Sequence, residues 1–166
     1  GTPTGSPSSQ PSAELTAIVA IEDWATAAGG SSSDYAEGIS ALADGSALVT
    51  GRFDGSTITF DTGLTLANSV SSGGTLDIFV AKISANGSWI WATAAGGSNT
   101  DNAYGISALA DGSALVTGHF DSSTMIFDGG LTVTNSVSSS GSSDIFVAKI
   151  SANGTWIWAT AAGGSN

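Results

Sequence analysis

The sequence predicts an all-β fold. Three observations carry that expectation. The chain repeats itself without a gap every 67 residues, Asp-Gly and Asn-Gly dipeptides separate strand-like runs, and no segment sustains a 3.6-residue hydrophobic period. Gly, Ser and Thr are abundant, while the helix formers Lys, Glu and Gln are scarce.

The repeat comes first because it sets the boundaries of everything else. WATAAGG occurs at Trp24–Gly30, Trp91–Gly97 and Trp158–Gly164. Residues 24–90 and 91–157 are identical at 52 of 67 positions. The third copy stops at Asn166, as in a piece of a longer array or a unit completed by other chains. Residues 1–13 hold all three prolines among Ser, Gly and Thr and read as a flexible tether. Residues 14–30 combine a leading strand, Glu14–Trp24, with a partial repeat. The first complete unit covers 31–97 and the second 98–166.

Each unit carries two hairpin signals. Gly38–Ala43 and Ser46–Phe53 flank Asp44-Gly45, and Asp77–Ser84 and Ser88–Ala94 flank Asn86-Gly87. Two-residue loops of this kind point to type I′ turns, in which both central residues take positive φ. Asp111-Gly112 and Asn153-Gly154 repeat the signals in the second unit. Between the hairpins, Thr57–Phe60 and Leu64–Ala67 suggest a small extra hairpin around Asp61-Thr62-Gly63, followed by a polar loop over Asn68–Thr75.

Strand alternation assigns faces. Trp89, Trp91 and Thr93 fall on one side, and Ile90, Ala92 and Ala94 on the other. Ile78 and Val80 likewise oppose Phe79, Ala81 and Ile83. A sheet with two apolar faces needs cover on both. A four-stranded antiparallel unit, repeated and covered on both faces by its neighbours, describes the blade of a β-propeller, here two blades per chain. A β-sandwich or a long-runged β-solenoid is the alternative, although tight hairpins favour antiparallel strands.

The motif run also resembles a known family. Gly96-Gly97, Asp101–Ile106, Asp111–Gly118 and Asp144–Ala159, with their counterparts in the first unit, are similar to the SBBP-type bacterial β-propeller repeat. The resemblance covers most of residues 24–166. It implies closed rings, often of six to eight blades, in extracellular or cell-surface bacterial proteins, and it implies no catalytic residues. Two units cannot close a ring. The expected partners are therefore other copies of the chain, a trimer giving six blades or a tetramer giving eight through head-to-tail contacts.

Composition excludes several functions. A formal net charge of −11 disfavours nucleic acid and anionic membrane surfaces. No apolar run is long enough for a membrane-spanning helix, so no membrane insertion is expected. With no Cys and one His, cysteine chemistry and multi-histidine metal sites are out, and neither a metal nor a cofactor is expected.

Four residues are candidates for binding. Trp89 and Trp156 sit beside hairpin turns, where an exposed indole would stack on a sugar ring, whereas Trp91 and Trp158 read as core. Arg52 and His119 share one repeat position and are candidates for a polar or acidic ligand near a ring axis. Repeated aspartates read as turn caps rather than as calcium ligands or a glycosidase pair, because near-identical copies do not single out one active site. The functional expectation is a noncatalytic extracellular binding or scaffold module. Multivalent glycan binding is its specific form, and a purely structural array without a small ligand is the alternative.

Overall fold

The structure, a computed structural model, describes residues 23–67, 75–135 and 142–164. The expected tether and all of the leading strand before Asp23 lie outside them, as do most of Asn68–Thr75 and its counterpart. Every element described is a β-strand, and the strands form three antiparallel sheets.

The strands are β1 (Ala28–Gly30), β2 (Asp34–Ala41), β3 (Ala47–Phe53), β4 (Thr57–Phe60), β5 (Thr65–Ala67), β6 (Asp77–Ile83) and β7 (Trp89–Gly96). The second unit repeats them as β8 (Asp101–Ala108), β9 (Ala114–Phe120), β10 (Thr124–Phe127), β11 (Thr132–Thr134), β12 (Asp144–Ile150) and β13 (Trp156–Ala162). Each unit is a four-stranded meander, β7-β6-β3-β2 and β13-β12-β9-β8, interrupted by a small hairpin between its second and third strands.

That small hairpin links one repeat to the next. In the second unit, β10 leaves its own meander and pairs with the end of β7, with Ile126 opposite Gly96 and Phe127 opposite Ala95. In the first unit, β4 pairs with β1, with Phe60 opposite Ala28. Ala28 and Ala95 are the same repeat position, so β1 imitates the end of a preceding unit's last strand.

The turns differ from the type I′ expectation. Leu42 accepts the Gly45 N–H at 3.1 Å and donates to Ser46 at 2.8 Å, closing a three-residue loop. Gly45 takes φ +82°, and among the described residues positive φ is confined to glycine. The same pair of bonds closes loops at 60–64, 84–88, 109–113, 127–131 and 151–155. The longer loop confines the left-handed conformation to glycine, sparing Asp44 or Asn86 a cost of about 1–2 kcal/mol. Asp44 caps its turn instead, its Oδ1 accepting the Ser46 N–H at 3.0 Å and the Ser46 hydroxyl at 2.5 Å.

The two meanders pack face to face through β8, which lies against β2, β3 and β6. One core spans both units. Leu48, Ile78 and Val80 from the first join Val116, Phe146, Ile150 and Trp156 from the second. A separate core, Phe53, Ile58, Phe60, Phe79, Ala81 and Ala94, belongs to the first unit alone.

Candidate functional site

A bulge decides what the tryptophans do. In the β6–β7 pair, Ile83 faces Trp89 and Lys82 faces Trp91, which leaves Ile90 as an extra residue. One inserted residue turns the side chains after it to the other face. Trp89 and Trp91 therefore point to opposite sides, contrary to simple alternation. Trp89 packs on the first unit's own core and Trp91 on the shared core. The β12–β13 pair carries the same bulge, separating Trp156 from Trp158.

The expected exposure is reversed in the second unit. Trp156 is 5% exposed, with its ring 4.9 Å from that of Phe127, so its indole is not offered to a sugar. Trp158, expected in the core, is 40% exposed. Trp89 is half-buried, stacked edge-on to Phe60 at 4.9 Å, and its Nε1–H donates to the Thr26 hydroxyl at 3.0 Å. It lines an open apolar groove of about 310 Å³ together with Trp24, Ile39, Val49, Phe79 and Ile83.

A second feature is polar and lies across the junction. Arg52 donates to Asn102 Oδ1 at 2.7 Å, stands 3.7 Å from Glu37 and lies 4.7 Å over the Tyr35 ring. Asn102, 2% exposed, also meets His119 Nε2 at 3.0 Å, and His119 packs against Tyr104. Arg52 and His119 are thus brought together through one buried amide. Glu37 and Tyr104 occupy the bulge positions of β2 and β8. A Cβ at Gly51 or Gly118 would collide with the carbonyl oxygen across each bulge, which explains glycine there. The role of Asn102 has a signal in the sequence. Within β2 and β3 and their counterparts β8 and β9, residues 35/102, 37/104 and 52/119 are the pairs that differ between the repeats.

Carboxylates near the junction titrate differently from those in the turns. Burial pushes Asp77 up to about 7, aided by the nearby Asp101 charge and opposed by the Gly97 N–H. Burial also raises Asp101 to about 6, against hydrogen bonds from Ser122. Asp44 and Asp111 are held below the usual carboxylate range, mainly by the hydroxyls of Ser46 and Ser113.

A cleft of about 520 Å³ separates the turns after β2 and β8, lined by Leu42, Asp44, Lys82, Leu109, Asp111 and Ala152 among others. Its two carboxylates are the ones tied to Ser46 and Ser113, so neither is poised as an acid at neutral pH.

Neither a scan of protein-family models nor a search of curated proteins finds a match to the chain.

Proposed function

We propose that the chain is a noncatalytic scaffold made of β-propeller blades, of the SBBP-type repeat, working as an extracellular or bacterial cell-surface module. One observation carries the reading. The residues that hold unit to unit within the chain recur, with the same identities, on two faces left open among the described residues. Ile78 is fully buried in the junction, while its counterpart Ile145 is 56% exposed. Val116 is fully buried, while Val49 lines the open groove. Surfaces of this kind suit side-by-side stacking of identical units, and an antiparallel meander is the shape a blade requires. Such a module would act by rigidity, holding its connecting loops at fixed spacing for multivalent display.

The structural-array form fits better than the glycan-binding form. Trp156 is withdrawn into the core, and the exposed indoles, Trp24 and Trp158, share the repeat position of Trp91, which packs between units. The test is a set of indole N–H resonances in the full chain, titrated with a panel of mono- and oligosaccharides. The scaffold reading expects no saturable shift. A saturable shift of the Trp24 or Trp89 signal would replace it with a lectin-like function.

A further inference from the structure

We infer that the two uncovered faces are halves of one interface, a head-to-tail contact with a second copy of this chain, and that the segment Trp24–Gly30 already occupies part of that contact as an internal stand-in. The inference deepens the scaffold reading and rests on it in treating the two units as equivalent.

The junction inside the chain supplies the template. Its first-unit side presents Leu48, Ile78, Val80 and Trp91. The same repeat positions on the uncovered face of the second unit are Leu115, Ile145, Val147 and Trp158, and two of these, Ile145 and Trp158, are well exposed. The second-unit side of the junction presents Ile106, Val116, Phe146, Ile150 and Trp156. Its repeat counterparts, Ile39, Val49, Phe79, Ile83 and Trp89, line the open groove, and Ile39 is 71% exposed. The side chains on each open face therefore match those that already cover the other face within the chain. A contact that joins unlike faces is heterologous and propagates from copy to copy.

The stand-in is recognisable bond by bond. Trp91 Nε1 donates to the Ala152 carbonyl at 3.2 Å, and Trp24 Nε1 donates to the Ala85 carbonyl at 3.0 Å. Asp128 Oδ2 accepts the Ala94 N–H and the Thr93 hydroxyl, at 2.7 and 3.1 Å. Asp61 Oδ2 accepts the Ala27 N–H and the Thr26 hydroxyl, at 2.7 and 3.2 Å. Trp158–Gly164 has the identical sequence WATAAGG. On docking, Trp158 of one copy takes the Ala85 carbonyl of the next, and its Ala161 and Thr160 take Asp61. Trp24 must leave first, so the segment raises the concentration at which copies join.

The experiment measures solution mass by light scattering over a concentration series. The full chain is expected to rise above 16.2 kDa with concentration. Ile145→Asp breaks one face and Ile39→Asp the other, and both sites are exposed enough to leave the fold intact. Each variant alone should stay at 16.2 kDa, and their equimolar mixture should reach twice that mass and no more. Trp24→Ala should tighten association by about tenfold, and Trp158→Ala should weaken it by at least as much. Full chain and Trp24→Ala both remaining monomeric would overturn the inference, leaving the scaffold reading to its sugar titration. So would Ile145→Asp associating alone, a mixture that stays monomeric, or Trp24→Ala weakening association.

Discussion

The indole of Trp91 sits against Gly154, in the other unit, with ring atoms 2.9 Å from where a Cβ would stand, and donates its N–H to the neighbouring Ala152 carbonyl. Gly154 meets two demands at once. It takes φ +86°, and it leaves room for the ring. Gly63 takes the same φ in an equivalent turn, but nothing lies within 4 Å of its missing Cβ.

The two glycines therefore separate conformational cost from packing cost. Gly63→Ala should lose about 1 kcal/mol, the cost of the left-handed backbone alone. Gly154→Ala should lose more, because the Trp91 ring must also lift from its seat. Urea unfolding of both variants decides the matter. Equal losses would mean that the ring contributes nothing to the junction.

Ile78 and Ile145 test the junction from one repeat position. Ile78→Ala removes a fully buried side chain from the core shared by both units and should cost about 2–5 kcal/mol. Ile145→Ala changes an exposed side chain and should stay within about 0.5 kcal/mol at concentrations where the chain is monomeric. Similar losses at both positions would contradict the asymmetry between covered and open faces.

How far the sequence announces this architecture depends on the range of the interaction. Strand positions and hairpin sites follow from Asp44-Gly45 and Asn86-Gly87, because turn chemistry is local. Turn type does not follow. The same dipeptide serves a two-residue loop or the last two positions of a three-residue loop, and only the bonds from Leu42 to Gly45 and Ser46 tell them apart. The facing of Trp89 and Trp91 was illegible for a similar reason, since the bulge at Ile90 has no Gly or Pro to mark it. Arg52 and His119 stand out as a divergent pair, but Asn102 joins them across a junction between units, which strand alternation does not encode.

The buried carboxylates give stability a definite pH dependence. An aspartate raised by burial binds its proton more tightly in the folded state than in the unfolded chain. Its favourable contribution is complete below the unfolded value of 3.8 and is lost as pH rises towards about 7 for Asp77 and about 6 for Asp101. The chain should therefore resist urea better near pH 4.5 than near pH 7.5. Asp77→Asn should flatten that slope. The turn aspartates Asp44 and Asp111 act with the opposite sign, and only on acidification below the ordinary carboxylate range. A urea midpoint that climbs between pH 4.5 and 7.5 would show that Asp77 is not desolvated as described.

Asn102 carries the coupling between the polar groups of the two units. Its Oδ1 accepts from Arg52 of the first unit and its amide nitrogen meets His119 of the second, so Asn102→Ala removes both contacts and leaves the guanidinium half-buried with one fewer acceptor. The expected loss is about 1–3 kcal/mol, the range for hydrogen bonds to charged groups. Arg52→Ala also breaks the Arg52–Asn102 bond, so the double variant should lose less than the two single losses combined, with a coupling of about 0.5 kcal/mol or more. Arg52→His, which copies the residue at 119, should keep part of that coupling because imidazole can still donate to the amide oxygen. Strict additivity of Arg52→Ala and Asn102→Ala in urea unfolding would reduce the cluster to independent contacts.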